Sequence, residues 1–296
     1  MTSPRKLHDD EPDIDQALVE ALLADRFPDR AGLPVRHVAS DGTSNMLFRL
    51  GDDLVVRMPR TPGAAADVAG EQHWMRRLGP ELPVPVPTPV GEGAPGHGYP
   101  WPWAVYRWIP GTLPAVGAES QPEAFARDVA GFVRALRRVD TTGAPAADRG
   151  KPLAPRDAST RNAVARLGDV LDPKAAIALW EAALAAPGWA GPDVWVHGDL
   201  EPGNLLVDPD TGRLAAVLDF ACMGVGDPAV DLIVAWYVLD DRLRDTFREA
   251  VGCDEATWTR GRGWALTIAV HELDYYRDRN AFMYETAARV VGRLLG

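Results

Sequence analysis

The sequence is poor in several features that would assign it to particular classes. Among its 296 residues are only two cysteines, Cys222 and Cys253. That is too few for a disulfide framework or a cysteine-built metal cluster, so a reducing cytoplasm is the expected compartment. No apolar run approaches the roughly 18 consecutive residues of a membrane-crossing helix. The opening MTSPRKLHDDEPD is polar and lacks the apolar stretch of a secretory signal. Basic excess is missing as well. The formal net charge is −11, which argues against nucleic acid as a partner, because nucleic acids select basic stripes. An acidic surface suits a cationic small substrate by concentrating cations, and it also serves plain solubility. There is no Gly-x-x-x-x-Gly-Lys-Ser/Thr loop, no Gly-x-Ser-x-Gly elbow and no His-Glu-x-x-His pair. Walker ATPase, serine hydrolase and zinc protease chemistry therefore have no constellation here. No obligate protein partner is evident.

Hydrophobic residues make up 46% and charged residues 25% of the chain, the balance of a soluble protein with real cores. The length allows two domains. DIDQALVEALLADRF has helical spacing, with Asp13 and Gln16 resembling a capping box. VRHVAS, MLFRLG and LVVRMPR read as strands joined by the turns DGTSN and GDD. A helix is expected over about 63–78. LPVPVPTPVGEG cannot be helical and suits an extended edge strand, and WAVYRWIPG reads as another strand. Beyond Pro110-Gly111 the pattern turns helical. The exceptions are a Pro/Ala/Gly-rich stretch at about 144–156, expected to loop out, and an island of strand character at 194–220. DPAVDLIVAWYVL and the three segments after it read as helices. The fold class is α+β, with domains 1–110 and 111–296.

The island carries the chemistry: WVHGDLEPGNLLVD, then the turn PDTG, then a strand ending at Asp219. Asp199 lies in the loop, Asn204 opens the next strand, and a hairpin returns Asp219 toward it. Two oxygen-bearing side chains near a third carboxylate suit a hard cation such as Mg²⁺. Asp, Asn, Gly and Pro are equally ordinary turn formers. The order His-Gly-Asp-x-x-x-x-Asn followed by a strand-terminal Asp decides between these readings. It matches the catalytic loop and metal-binding aspartate of the kinase fold.

The spelling HGDLEPGN, VLDF and GDPAVDL resembles the aminoglycoside phosphotransferase family of kinase-like small-molecule phosphotransferases, from about Val35 to the C-terminal helices. The resemblance implies a bilobal protein-kinase-like fold. An N-terminal antiparallel sheet lobe would bind nucleotide, and a mainly helical C-terminal lobe would carry catalysis and substrate. It implies transfer of the γ-phosphoryl group of ATP, or GTP, to a small-molecule hydroxyl. An aminoglycoside is the leading acceptor. The alternatives are a macrolide, choline, a sugar or another metabolite. Asp199 would receive or orient the acceptor hydroxyl, Asn204 and Asp219 would hold Mg²⁺, His197 would support the loop and Asp231 would brace it. Asp227 reads as a helix N-cap before Pro228. The rival from another class is a catalytically inactive kinase-like binding protein.

For the nucleotide, Gly42, Thr43, Ser44 and Asn45 offer backbone and hydroxyl donors. The literal Gly-x-Gly-x-x-Gly at Gly91, Gly93 and Gly96 is followed by Pro100 and Pro102 and contains Pro95, so it reads as a turn rather than a nucleotide loop. Arg57 stands where the resemblance implies lysine, and it retains a permanent cation. Glu71 falls on the apolar face of its helix, which is unfavourable unless it is paired, and Arg57 is the expected partner. Tyr106 and Trp108 lie in the strand linking the lobes. Glu272, Tyr275 and Tyr276 share a helix face. There they could meet a substrate ammonium, and Glu272 could equally pair with an internal arginine.

Overall fold

The structure, a computed structural model, describes residues 6, 11–40, 42–115 and 122–296. Asp41, in the first turn, lies outside them. The chain divides into two compact units, 1–80 with 85–110 and 81–84 with 111–296. Among the described residues no helix is long and apolar enough to cross a membrane.

The first unit holds helix α1 (Gln16–Arg26), strands β1 (Val35–Val38), β2 (Asn45–Leu50) and β3 (Leu54–Pro59), helix α2 (Pro62–Leu78), and strands β4 (Pro89–Gly93) and β5 (Trp103–Arg107). The strands form one antiparallel sheet in the order β1-β2-β3-β5-β4. Period-two alternation sets its register. Met46, Phe48 and Leu50 face Met58, Val56 and Leu54 across β2 and β3, and all six are buried with Trp103 and Val105 under α1. The opposite face carries Arg57, level with Leu47 and Ala104. There Val68 of α2 packs with Ala104 and Tyr106. Thr61 caps α2 by accepting the N–H of Ala64, with Pro62 in the first turn. Asp15, not Asp13, caps α1 by accepting the N–H of Leu18. The proline-rich stretch becomes the edge strand β4, and 94–102 is the turn between β4 and β5.

The second unit is mainly helical: α3 (Glu123–Leu136), α4 (Asp157–Arg166), α5 (Pro173–Ala185), α6 (Val234–Tyr237), α7 (Asp241–Val251), α8 (Glu255–Tyr276) and α9 (Ala281–Leu295). Helix α8 is buried on most of its circumference and runs through the core. Two small ribbons interrupt the helices. Strand β6 (Val194–Val196) pairs with β9 (Gly224–Gly226), and β7 (Leu205–Val207) pairs with β8 (Leu214–Val217). The DPAVDLIVAWYVL segment is a 3-10 turn over Pro228–Ile233 followed by only the short α6. It is buried on all sides, and packing from every direction overrides helical propensity.

The stretch at 144–156 does not loop out. Val225 donates to the carbonyl of Pro145 at 2.8 Å, Ala147 to that of Val225 at 3.0 Å, and Asp227 to that of Gly150 at 2.9 Å. The segment is an extra layer laid against β9. The approach needs glycine: a Cβ at Gly226 would lie 2.5 Å from the Gly150 carbonyl oxygen, and one at Gly224 equally close to the Ala147 nitrogen. Gly226→Ala is therefore expected to lower the unfolding free energy by about 1–3 kcal/mol, as overpacking does. Gly70→Ala, in the exposed middle of α2 with open space around it, should raise it by about 0.5–1 kcal/mol. Urea unfolding of both variants beside the parent checks the pair. A Gly226→Ala protein as stable as the parent would contradict the close contact.

Candidate active site

In the first unit the Arg57 Nη1 donates to Glu71 Oε1 at 2.6 Å, with the two side chains 12% and 5% exposed. Strand β3 sets the arginine, and α2 brings the glutamate down onto the same sheet face. The Arg57 guanidinium lies 5.4 Å from the centre of the Tyr106 ring. Tyr106 is a core residue, and burial pushes its hydroxyl well above the usual tyrosine range. Trp108 is also engaged: Arg49 stacks over its ring at 4.0 Å, and its backbone N–H donates to the Asp53 carbonyl at 2.8 Å. Gly42, Thr43 and Ser44 lead into β2, which Asn45 opens opposite Pro59, and Gly42 donates to Ser40 Oγ at 3.0 Å.

In the second unit the loop from His197 to Asn204 is built around Asp231. The buried Asp231 carboxylate accepts the N–H of His197 at 3.0 Å and of Gly198 at 2.8 Å. Burial raises its pKa, and His197, these donors and Arg137 oppose the shift. The buried His197 ring then ties two strands together. Nε2 meets the Leu218 carbonyl at 2.9 Å, and Nδ1 accepts the N–H of Asp199 at 3.2 Å. An amide donor on Nδ1 and a carbonyl on Nε2 specify the tautomer with hydrogen on Nε2. Phe220 packs edge-on against the same ring. Gly198 has φ +80°, and a Cβ there would lie 2.8 Å from the Cys222 carbonyl oxygen. Glycine at the second position of His-Gly-Asp is thus a steric requirement.

Asp199 emerges with both carboxylate oxygens held. Oδ1 accepts from Arg149 Nη1, and Oδ2 accepts from Asn204 Nδ2 at 2.9 Å. Asn204 Nδ2 also reaches the Asp199 carbonyl at 2.8 Å. The asparagine's nitrogen is thereby committed to Asp199, which leaves its amide oxygen for another partner. Leu218 donates to the Asn204 carbonyl at 2.7 Å, so Asp219 follows directly beside Asn204. Asp219 has φ +56°, a left-handed conformation that Asp tolerates better than most residues. Such strain concentrates at functional sites. Among the described residues no cluster of three His, Cys, Asp or Glu could hold a metal. An amide oxygen with one carboxylate still fits a hard cation that keeps water and phosphate oxygens as further ligands. Asp227 caps the turn after β9 by accepting the N–H of Ala229, and it forms a buried ion pair with Arg260 at 2.7 Å.

Glu272 reaches this neighbourhood from α8, and no arginine hydrogen-bonds it, although the nearby Arg149 charge favours its anionic form. The Tyr237 hydroxyl donates to Glu272 Oε2 at 2.7 Å, and its other neighbour is Glu201. Burial raises both carboxyls, Glu272 to about 7. Glu201 Oε1 is buried without a hydrogen-bond donor. Tyr275 is exposed instead, packed edge-on against Tyr276 and under Arg279. Arg149, Glu201 and Tyr237 were not legible as site residues. Arg149 sits in the stretch expected to loop out, and Tyr237 in an unbroken apolar run. Glu201 alone had a signal, as an acid two residues after Asp199.

A sheet unit with a buried cation–glutamate pair and a helical unit with this His-Gly-Asp loop define a kinase-like enzyme of the small-molecule phosphotransferase class. The comparisons agree. The family described as "Phosphotransferase enzyme family" matches residues 36–264, and the chain belongs to it. It is a phosphotransferase acting on a small-molecule hydroxyl. It is 33% identical over 191 residues to an aminoglycoside 3'-phosphotransferase of Streptomyces fradiae, covering 60% of this chain and 67% of that one. Its fold is that of an aminoglycoside 2'-phosphotransferase-IIIa solved with GDP (TM-score 0.75, 18% identity, 95% and 98% of the two chains). A macrolide 2'-phosphotransferase of Brachybacterium faecium is also similar (TM-score 0.61, 26% identity, 94% and 98%).

Removing one member of the Arg57–Glu71 pair strands a buried charge. Arg57→Met is expected to destabilise the protein by about 3–5 kcal/mol, and Arg57→Met with Glu71→Leu to recover much of that. Chemical denaturation of the single and double variants tests this. A single variant as stable as the parent would show the pair to be solvated.

Proposed function

We propose that the enzyme transfers the γ-phosphoryl group of ATP or GTP to a hydroxyl of a cationic small molecule, with an aminoglycoside as the leading acceptor. The carrying observation is the Asp231–His197–Asp199–Asn204 network, which presents one carboxylate in a fixed orientation. Phosphoryl transfer asks the protein for alignment and charge neutralisation rather than covalent help. Asp199 receives the proton of the acceptor hydroxyl. Asn204 through its amide oxygen and Asp219 through its carboxylate are the residues that would hold Mg²⁺, which when bound neutralises phosphate charge. Arg57, oriented by Glu71, fixes phosphate oxygens of the nucleotide, and Gly42, Thr43, Ser44 and Asn45 contribute donors. Tyr106 supports Arg57 from the core, and Trp108, which follows β5, is assigned to the nucleotide side of the site. His197, Asp227 and Asp231 are structural.

Glu272 with Glu201 supports a cationic acceptor. Two adjacent buried carboxyls call for either a shared proton or a cation, and an ammonium satisfies the second condition. Tyr275, exposed and already covered by Arg279, and Tyr276 packed against it are left out of this reading. The curated relative is named for aminoglycosides, and one structural neighbour is named for macrolides. Both names favour an antibiotic acceptor, and inactivation of such a drug would confer resistance.

A mass-shift screen with ATP, GTP and Mg²⁺ against kanamycin, gentamicin, streptomycin, erythromycin and choline tests the reading. The expected result is one added phosphate on an amine-bearing acceptor. Asp199→Ala should lower kcat by about 10²–10⁴-fold, the usual worth of a positioned base. Equal turnover in variant and parent would remove Asp199 from its role. Glu272 is raised to about 7, so it is protonated below that pH and anionic above it. The KM of a cationic acceptor should therefore fall as pH rises from 6 to 8, and Glu272→Gln should flatten that dependence. A parent KM independent of pH would place the ammonium elsewhere.

A further inference from the structure

The catalytic loop carries acids but no cation of its own. HGDLEPGN contains neither lysine nor arginine, and Glu201 stands two residues after Asp199. Arg57 and Mg²⁺ serve the nucleotide phosphates in the reading above, and a phosphoryl group arriving beside Asp199 and Glu201 would still be repelled by these carboxylates unless a cation stood next to them. The fold supplies one from about fifty residues upstream in sequence. The layer against β9 ends in the turn Asp148–Gly150, which is pinned on both sides by the backbone bonds to Val225 and Asp227. Gly224 and Gly226 let that layer approach, and the result is Arg149 placed on the catalytic carboxylate.

The guanidinium is only partly used. Nη1 serves both the Asp199 carboxylate and the Gly198 carbonyl, the latter at 2.9 Å. Among the described residues, Nε and Nη2 have no protein acceptor, although an arginine carries five N–H donors. A structural counterion for the buried acids would be spent on them. Here the Arg149 charge is felt by Glu201 and Glu272, yet neither accepts a hydrogen bond from it: Glu272 takes the Tyr237 hydroxyl, and the Arg149 donor bonds go to Asp199 and Gly198. Arg149 remains one-quarter exposed, so its spare donors are reachable.

We propose that Arg149 is a catalytic arginine supplied in cis, anchored through Nη1 on Asp199 and offering Nε and Nη2 to the equatorial oxygens of the phosphoryl group in transit. The inference rests on the phosphotransfer reading above. In the step, a lone pair of the acceptor oxygen forms the new bond to the γ-phosphorus. The bond from phosphorus to the bridging oxygen breaks, and its electron pair leaves with the nucleoside diphosphate. The hydroxyl proton passes to Asp199. Arg149 keeps its protons throughout and stabilises charge that peaks in the transition state, so it should act on kcat rather than on ground-state binding.

The test uses the full-length chain, ATP, Mg²⁺ and the acceptor of the kanamycin–erythromycin–choline panel that is phosphorylated. Arg149→Ala should lower kcat by about 10³-fold or more, as loss of an arginine finger does, with each KM changed by less than about threefold. Added guanidinium should restore part of the rate in Arg149→Ala. Mg²⁺, ADP and aluminium fluoride together should bind the variant far more weakly than the parent, while ADP alone binds both alike. Arg149→Lys, which keeps the charge and loses the fork, should fall between the two and carries the same comparisons if the alanine variant does not fold. A variant kcat within about tenfold of the parent, or a loss confined to KM, would overturn the proposal. So would an increase in rate, which would make Arg149 a restraint on Asp199. A parent that phosphorylates nothing would sink the reading beneath it, and an active parent with an equally active Arg149→Ala would sink this inference alone.

Discussion

The site depends on one buried carboxylate. Asp231 comes from the 3-10 turn after β9, and it accepts two consecutive backbone N–H groups at the point where β6 ends and the loop begins. Without it those donors would be buried and unpaired, a loss of about 1–3 kcal/mol each. Its own desolvation is offset by the same bonds. From this anchor the geometry follows in sequence order. The chain turns left-handed at Gly198, the His197 ring reaches back to Leu218 and forward to Asp199, and Asn204 closes the loop onto Asp199. The links run within the loop, between the two ribbons and to the distant Arg149, and the carboxylate itself is held by hydrogen bonds.

Charge is distributed unevenly around that loop. The net charge of the chain is strongly negative, and near Asp199 three acids gather about one arginine. Burial raises Glu201 and Glu272 instead of leaving both ionised. The same economy appears in the sheet unit, where buried Arg57 and Arg60 are balanced by buried Glu71 and Glu11. Arg57 and Arg149 are each placed against a specific carboxylate, in keeping with the high price of an unpaired charge in a low-dielectric interior.

Much of the fold was readable because its signals are local. Alternation in β2 and β3, Thr61 with Pro62 before α2, and prolines confining β4 to an edge each act over a few residues. The expected failures have the same origin. Asp15 displaced Asp13 as a cap by a two-residue shift that composition does not resolve. The segment containing Asp231 looked helical, yet burial on every side drew it into a 3-10 turn. Glu71 was inferred from its place on an apolar face, and its partner is found at hydrogen-bond distance. Glu272 follows the same logic with a substrate ammonium and an internal arginine both left open, and within the chain its hydrogen-bond donor is Tyr237, with Glu201 beside it.

By itself the sequence determined the phosphotransfer loop, its aspartates and asparagine, the order of sheet before helices, and the kind of family to which the chain belongs. These are carried by short spacings whose geometry the backbone dictates. Only the tertiary structure decided what surrounds Asp199. Arg149, Glu201, Tyr237 and Glu272 come from a turn, a loop and two helices far apart along the chain, and a contact between such distant segments leaves no periodic trace. The two glycines of β9 show the reason most plainly: in sequence they mark a turn, and in space they are the room through which Arg149 arrives.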